Sequence, residues 1–160
     1  MSTKTLSIIM ASYRRAPQLS KTLESISIQT RQPHEIIVAE DGYDGGATEK
    51  VCSSWETKGL PVQYLCRKNR PKMSYSNPAV PKNIGIRRAT GEILIIQCPE
   101  VMYATPHDIE NLVGPVEKDE ALSLYAPCNS LDAKGLYEEQ MCGPGFSHHS
   151  GVFRFLPSSS

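Results

Sequence analysis

Acidic side chains follow two of the apolar, strand-like segments of this sequence. Glu40 and Asp41 come directly after one such segment and precede a glycine, and Glu100 ends the QCPE sequence that follows another. A carboxylate at the first place can accept hydrogen bonds from the base or the ribose of a nucleoside. A carboxylate at the second can hold a divalent cation together with a diphosphate. The alternatives are a solvated Asp-Gly turn at the first place and a plain surface charge at the second.

Basic residues are concentrated in two other loops. They are Arg14 and Arg15 after the first apolar segment, and Arg67, Lys68, Arg70, Lys72 and Lys82 in and after the polar stretch 67–79. Arginine binds phosphate through two parallel hydrogen bonds, and lysine binds it as a point charge. If the two loops converge on one crevice they predict a diphosphate site, and a solvated loop is the alternative.

The histidines and cysteines do not have the spacing of a metal-binding motif. His148 and His149 are adjacent, so their side chains diverge, and we expect surface histidines or at most one ligand or base. The five cysteines occur at an odd count with no CxxC spacing: Cys52, Cys66, Cys98, Cys128 and Cys142. Neither a disulfide framework nor a zinc site is indicated. With no recognisable signal peptide, this pattern predicts a cytoplasmic location.

Apolar segments and helical patterns alternate along the chain, and these elements must position the acidic and basic residues. Strands are predicted at 6–11, 35–39, 62–66, 92–96 and 121–126, and helices at 17–26, 47–58, 81–89 and 106–116. Such an alternation with short connections predicts an α/β fold, a three-layer α/β/α arrangement around a mostly parallel sheet. Ligands in such sheets lie beyond the carboxyl ends of the strands, which selects the loops 11–16, 40–46 and 97–105.

Length and charge restrict the classes of function. The 160 residues suffice for one domain with an ordinary core. The 17 basic residues balance the 17 acidic ones, which excludes a general nucleic-acid or anionic-membrane binder and requires any anion to be bound locally. No apolar stretch approaches the roughly 20 residues of a membrane span. Beyond residue 128 the periodic pattern ends in a segment rich in Gly, Ser and Pro.

Four separated motifs, in order, resemble the nucleotide-sugar-binding half of a GT-A fold inverting glycosyltransferase of glycosyltransferase family 2. They are LSIIMASYRR, ISIQTRQPHEIIVAEDG, KNIGIRRATGEILII and QCPEVM, and the resemblance covers about residues 4–116. It implies a hexosyltransferase-class enzyme that transfers a sugar from a nucleoside diphosphate, most often UDP, to a hydroxyl acceptor on a saccharide or another molecule. It also implies a Rossmann-like fold.

The resemblance further implies the residues that bind the nucleotide. They are Ala11, Ser12, Tyr13 and Arg14 after the first strand, Glu40, Asp41 and Gly42 after the second, Lys82 and Asn83 in an Asn-x-Gly helix, and Gln97 and Pro99 after the fourth strand. Glu40 and Asp41 take the place of two aspartates that hold uracil or ribose, and Asp41 is the closer match.

This sequence departs from the family pattern at the metal-binding motif and in the second half of the pattern. Glu100 is the one acidic match where aspartates are usual, so it is the implied ligand of Mn²⁺ or Mg²⁺. Family members commonly continue into an acceptor-binding half that carries the general base. We expect residues 1–128 to form the nucleotide-sugar domain and 129–160 an incomplete acceptor-side segment. No motif selects a base among Asp132, Glu138 and Glu139, and His149 is a weak match to a family His-Ser pair.

The sequence leaves alternatives to an active glycosyltransferase. A non-catalytic or truncated nucleotide-binding remnant of the same fold is the main alternative. A nucleotidyltransferase or dinucleotide-binding protein would need a glycine-rich loop after the first strand, and ASYRRAP contains no glycine. Self-association through an exposed apolar edge is a further hypothesis.

Overall fold

The apolar segments of the sequence form one twisted sheet with helices on both faces. The computed structural model describes residues 3–68, 77–119, 121–127 and 149–154. The strands are β1 (Leu6–Ser12), β2 (Glu35–Glu40), β3 (Val62–Cys66), β4 (Ile93–Gln97), β5 (Leu124–Pro127) and β6 (His149–Arg154). The helices are α1 (Ala16–Ser27), α2 (Ala47–Thr57), α3 (Ala79–Arg88) and α4 (Asp108–Lys118).

The strands lie in the order β3-β2-β1-β4-β6-β5. The four strands β1 to β4 are parallel, and β1 is central, with Ile8 opposite Ile36 on one side and Ile95 on the other. Parallel neighbours require a crossover helix between them, which is what the alternation of patterns supplies. The prediction of an α/β fold with a mostly parallel sheet is confirmed.

The strand β6 was not predicted, because its sequence lies beyond the periodic part of the chain. It pairs antiparallel with β4 and with β5, between those two strands. The segment 149–154, which we expected to belong to the acceptor-side tail, is thus part of the sheet. The division of the chain at residue 128 stays a prediction, since residues 128–148 and 155–160 lie outside the described part.

The two faces of the sheet are covered unequally. Alternate residues of β1, β2 and β4, including Ile8, Val38 and Ile95, are fully buried in one cluster with side chains from α1, α2 and α4. The opposite face, with Ile9 and Ile37, packs against α3. Because side chains alternate along a strand, this continuous apolar run serves both faces at once.

Helix α3 lies closer to the sheet than a side chain would allow. A Cβ atom at Gly85 would lie 2.6 Å from Cγ2 of Ile9 and 3.6 Å from Cγ2 of Ile37. The helix ends near Thr90, whose backbone N–H and hydroxyl donate to Glu35 at the amino end of β2. The first turn of α3 is therefore at the carboxyl ends of the strands. None of the described helices is long and apolar enough to cross a membrane.

Candidate functional site

The carboxyl ends of β1, β2, β3 and β4 lie along one edge of the sheet and bring the loops that follow them together. The backbone N–H of Asp41 donates to the carbonyl of Ser12 at 2.8 Å, and that of Arg67 donates to the carbonyl of Glu40 at 3.1 Å. These bonds continue the pairing of the strands beyond their ends. The edge is the ligand-binding location expected for a parallel α/β sheet.

The end of β1 presents a buried hydroxyl and two exposed side chains. Ser12 is 1% exposed, and its Oγ has no hydrogen-bond partner among the described residues. Tyr13 is 39% exposed, with the guanidinium of Arg14 over its ring at 5.4 Å. Arg14 has a φ of +53°, a left-handed conformation that a side chain as long as arginine rarely adopts. Unpaired buried groups and backbone strain of this kind occur together at functional sites.

Glu40 lies in the interior instead of projecting from the edge. Its side chain is 0% exposed, and its Oε2 accepts a hydrogen bond from the Tyr64 hydroxyl of β3. Oε1 is buried without a donor among the described residues. Burial raises the pKa of the Glu40 carboxyl above its ordinary value, against the effect of Tyr64, and the charge of Asp44 raises it further.

Asp41 is paired with an arginine at the start of the polar loop. It is also buried, and its Oδ1 lies 3.0 Å from Nη1 of Arg67, a side chain that is 30% exposed. Consecutive residues of a strand point to opposite faces. Glu40 therefore faces the α1 and α2 side, while Asp41 continues the opposite alternation. The two carboxylates that we expected to act as one pair lie in different surroundings.

The loop 41–46 is shaped by glycines and closed by a carboxylate. Gly42 has a φ of +109°, which glycine adopts without steric cost, so the chain turns sharply after Asp41. Asp44 accepts hydrogen bonds from the backbone N–H of Thr48 at 3.1 Å and from its hydroxyl at 2.7 Å. Although burial opposes it, these bonds hold the pKa of Asp44 below its usual value. The loop is thereby attached to the first turn of α2.

A crevice opens between the loops that follow β1 and β2. Its volume is about 430 Å³, and it is lined by Arg14, Ala16, Pro17, Tyr43, Asp44, Gly45 and Ala47. The exposed Tyr43 also lines a shallow hollow of about 500 Å³ along α2. Lys68 lies 5.8 Å from the same ring. Positive charge and exposed aromatic surface therefore meet at one side of the sheet edge.

The loop after β4 is held by hydrogen bonds within the protein, including one from α1. Gln97 is fully buried, its Oε1 accepts from the Tyr103 hydroxyl, and its Nε2 donates to the carbonyl of Val101 at 3.3 Å. The carbonyl of Pro99 accepts from the Thr22 hydroxyl at 2.8 Å. Gln97 and Pro99 thus shape the loop through contacts inside the protein.

Glu100 follows in the same loop and is exposed to solvent. No group of three or more His, Cys, Asp or Glu side chains in the described part of the chain could hold a metal ion by itself. An exposed carboxylate still fits the mode in which Mg²⁺ takes one protein oxygen and fills its remaining positions with phosphate and water. A metal at Glu100 would therefore need the diphosphate.

The remaining predicted residues differ in where the structure places them. Lys82 and Asn83 are in the first turns of α3, on the opposite side of the edge from Arg14, and Asn83 is exposed. Ala11 is half-buried near the end of β1, and Arg15 is exposed just before α1. Arg70, Lys72, Asp132, Glu138, Glu139 and His148 lie outside the described residues, and His149 is described only as part of the backbone of β6.

Tyr64 and Asp44 are two side chains of this region that we did not predict from the sequence. Tyr64 stands in a strand, where a tyrosine usually indicates packing. Asp44 stands in a turn, where aspartate is common. The spacing of Asp44 before Thr48 at a helix start was the one available signal, since an acidic side chain there can receive the free N–H groups.

A family model describes most of this chain. The model of Glycosyl transferase family 2 matches residues 7–141, which include the ends of all four parallel strands. The chain belongs to glycosyl transferase family 2. This membership confirms the family resemblance of the four sequence motifs. It does not specify a substrate.

Two curated relatives are similar along most of the chain. An uncharacterized glycosyltransferase, YwdF, of Bacillus subtilis is 28% identical over 130 residues, which are 81% of this chain and 44% of the relative. An uncharacterized glycosyltransferase of Rickettsia felis is 25% identical over 151 residues, 92% of this chain and 22% of the relative. The chain therefore spans less than half the length of the relatives that it matches.

Two solved structures share the fold. The S. aureus TarS 1–349 structure in complex with UDP has a TM-score of 0.69 at 13% identity, over 94% of this chain and 46% of that chain. The mannosyltransferase PcManGT of Pyrobaculum calidifontis, in complex with GDP-Man and Mn²⁺, has a TM-score of 0.64 at 20% identity, over 77% of this chain and 35% of that chain. At such identities the likeness concerns the fold, which is that of GT-A glycosyltransferases.

Proposed function

We propose that this chain binds a nucleoside-diphosphate sugar, preferentially a UDP-sugar, along the carboxyl edge of β1, β2 and β4 and serves an inverting sugar transfer to a hydroxyl acceptor. The observation that carries the proposal is the unpaired, buried Oγ of Ser12 at the carboxyl end of β1. A buried hydroxyl without a partner is costly unless a ligand or water completes its bonding. Family membership and the UDP and GDP-Man complexes of the neighbours support a nucleoside-diphosphate sugar as the ligand.

Asp41 and Arg67 form a pair suited to the base of the donor. The imide edge of uracil carries an N–H donor flanked by two carbonyl acceptors. A carboxylate can accept from the N–H while the adjacent guanidinium donates to a carbonyl. Because the pair is held at 3.0 Å and Asp41 is buried, its geometry is set before the ligand arrives. A preorganised pair lowers the entropy cost of binding.

Positive charge on both sides of the edge is available for the diphosphate. Arg14 is exposed next to the crevice, and Lys82 is in the first turn of α3. The start of a helix carries a partial positive charge that favours an anion. The backbone N–H groups of Ala79 and Val80 already donate to Asn77, so at α3 the attraction comes from this charge and from Lys82. In the transfer, these groups stabilise the negative charge that develops on the leaving diphosphate.

The cation partner of the diphosphate is Mn²⁺ or Mg²⁺, and Glu100 is the residue that would hold it. When bound, such an ion neutralises the leaving diphosphate as a Lewis acid. The chain's own residues bind and orient the donor, and a general base removes the proton from the acceptor hydroxyl that attacks the anomeric carbon. Asp132, Glu138 and Glu139 remain the candidates for that base, outside the described residues.

Calorimetric titration with UDP, with and without Mn²⁺, tests the proposal. At a UDP concentration of 100 times Kd, the melting temperature should rise by about 5–10 °C. Asp41→Asn should weaken UDP binding at least about tenfold, while Glu56→Gln, which changes an exposed carboxylate near the far end of α2, should leave it unchanged. If UDP and GDP both fail to bind or to stabilise the wild type, the proposal is wrong.

A second candidate is a member of the fold that binds the nucleotide and does not transfer the sugar. The observation in its favour is Gln97, whose amide is used within the protein by Tyr103 and Val101 where family members carry an acidic side chain. A slow release of UDP from UDP-sugars, with water as acceptor, distinguishes the two. Binding without release would support the second candidate.

Location and assembly stay predictions. No disulfide joins the three cysteines of the described part, Cys52, Cys66 and Cys98, which is the state expected in a reducing cytoplasm. Fractionation of cells that make the protein would test the cytoplasmic location. Light scattering would test for a homo-oligomer, with a monodisperse monomer counting against self-association.

A further inference from the structure

Strand β2 begins and ends with a buried glutamate, and the two have opposite surroundings. Glu35 is 3% exposed and accepts four hydrogen bonds, two from Thr90 and one each from Ser7 and Gln63. Glu40 is 0% exposed; its Oε2 accepts from Tyr64, the Cys66 thiol also bonds to the carboxyl, and its Oε1 has no donor among the described residues. A carboxylate with four donors is stable in its ionised form, whereas an interior carboxylate with one oxygen left without a donor is destabilised.

The second oxygen of Glu40 faces an acceptor. Its Oε1 is buried and receives no donor from the described residues, while the carboxyl of Asp44 is close enough to share a side-chain hydrogen bond with it. Two ionised carboxylates cannot form such a bond, because neither has a proton to donate. One of the two must therefore be protonated for the contact to be favourable.

The other titratable groups around Glu40 do not supply a positive charge. Tyr64 and Cys66 come from β3, and Cys52 comes from α2. Burial raises the pKa of the Cys52 thiol to about 12, and burial followed by the Glu40 hydrogen bond raises the pKa of Tyr64. Arg67 directs its guanidinium to Asp41. Burial and the charge of Asp44 raise the pKa of Glu40, and they outweigh the hydrogen bonds from Tyr64 and Cys66, which favour the ionised form.

We propose that Glu40 is a neutral carboxylic acid in the folded protein, that its Oε1–H donates to the Asp44 carboxylate, and that this carboxyl pair positions the loop 41–46 without contacting the nucleotide. The proton lies on Oε1, and Oε2 is the carbonyl oxygen that accepts from Tyr64. Asp44 is the ionised partner, since Thr48 already donates two hydrogen bonds to it. The part of the proposal that concerns the nucleotide rests on the proposed function.

The pair connects three elements through one chain of hydrogen bonds. Tyr64 in β3 donates to Glu40 in β2, and Glu40 donates to Asp44 in the loop. Asp44 in turn accepts a hydrogen bond from Thr48 at the start of α2. Asp41 lies between Glu40 and Asp44 in sequence, so both ends of its turn are fixed. Glu40 is thus a positioning residue for the proposed base contact.

The pH dependence of stability gives a test with a definite sign. When a carboxyl has a higher pKa in the folded than in the unfolded state, the protein loses stability as the pH rises from the ordinary pKa of 4.5 toward the pKa in the folded state. Glutamine mimics the neutral acid, because its amide donates to Asp44 and its carbonyl accepts from Tyr64. Glu40→Gln should therefore match the wild type at pH 4 and melt at a higher temperature at pH 7.5. The gap should be about 3–5 °C for each unit by which the folded pKa is raised.

Glu35→Gln is the matched control at the other end of the strand. Although burial alone would raise it, the hydrogen bonds from Ser7 and Thr90 hold the pKa of Glu35 below its ordinary value. The amide of a glutamine would meet donors at that position. This variant should melt at least about 3 °C lower than the wild type at pH 7.5, and the gap should shrink as the pH falls below about 4.5.

The two variants must therefore diverge in opposite directions as the pH rises. If Glu40→Gln loses stability with rising pH as Glu35→Gln does, Glu40 is ionised and the proposal is overturned. A ¹³C NMR titration of the wild type labelled at its glutamate carboxyls provides a second measurement that needs no variant. It should show a glutamate that is still protonated at pH 7, and its absence would also overturn the proposal.

Nucleotide affinity separates a positioning role from direct contact. Glu40→Gln should keep the Kd for UDP within about twofold of the wild type, while Asp41→Asn raises it at least about tenfold. An equal loss in both variants would show that Glu40 contacts the nucleotide and would overturn the positioning role. If UDP binds to no variant and not to the wild type, the proposed function fails, and the pH series still decides whether Glu40 and Asp44 share a proton.

Discussion

Replacing Gly85 by alanine tests how closely α3 must approach the sheet. The added methyl would lie 2.6 Å from Cγ2 of Ile9, about 1 Å nearer than carbon atoms pack. Relief requires α3 to move outward by about that distance or Ile9 to leave its rotamer. Overpacking of this kind costs about 1–3 kcal/mol, partly offset by a gain of about 1 kcal/mol in helix propensity. We expect a net loss of about 1–2 kcal/mol.

Urea denaturation of three proteins measures this loss. The control is Gly114→Ala, at a helical glycine of α4 whose missing Cβ has open space except toward Pro115, the next residue. The gain in helix propensity and the cost of a side chain before proline oppose each other, so its stability should change by less than about 1 kcal/mol. Since α3 carries Lys82, its displacement should also weaken UDP binding in Gly85→Ala and not in Gly114→Ala. Equal stability of the two variants, with equal UDP affinity, would refute the reasoning on the α3 contact.

Three further variants test separate features. Asp108→Ala removes hydrogen bonds to the loop before α4 and should cost about 1–2 kcal/mol at pH 7. Although burial opposes it, those bonds lower the pKa of Asp108, so the cost should fade below about pH 4 in urea denaturation. Arg67→Met removes the ion pair with the buried Asp41 and should lower stability by about 1–3 kcal/mol and weaken UDP binding, whereas exposed Arg88→Met should change neither. Glu100→Gln should abolish the effect of Mn²⁺ on the Kd for UDP, and an unchanged metal effect would exclude Glu100 as the ligand.

The parallel part of the fold could be predicted from the sequence because its signals are local. The runs around Ile8, Ile36 and Ile95 are apolar at every position, which is typical of strands covered on both faces. Their bounds agree with the structure to within one or two residues, and α3 starts two residues before the predicted start. Strand β6 could not be predicted in this way. It is formed by pairing with β4, which is distant in sequence, and its own residues show no periodic hydrophobic pattern.

The candidate site could be predicted in place but not in detail. The rule that ligands lie at the carboxyl ends of strands selected Ser12, Asp41 and Glu100, and the structure has all three at or after the ends of β1, β2 and β4. Their role in binding stays a prediction. The burial of Glu40 depends on Tyr64, which reaches it from the neighbouring strand, and such a contact between strands is absent from any local pattern. The same holds for Gln97, whose amide is bound by a tyrosine six residues later.

A crystal structure of this protein with UDP and Mn²⁺ tests the central claim most directly. We expect the base against Asp41 and Arg67, the Ser12 hydroxyl within hydrogen-bond distance of the nucleotide, and the diphosphate with its metal between Arg14 and Glu100. Density for UDP at another surface, or a carboxyl edge that stays free of nucleotide at saturating concentration, would contradict it.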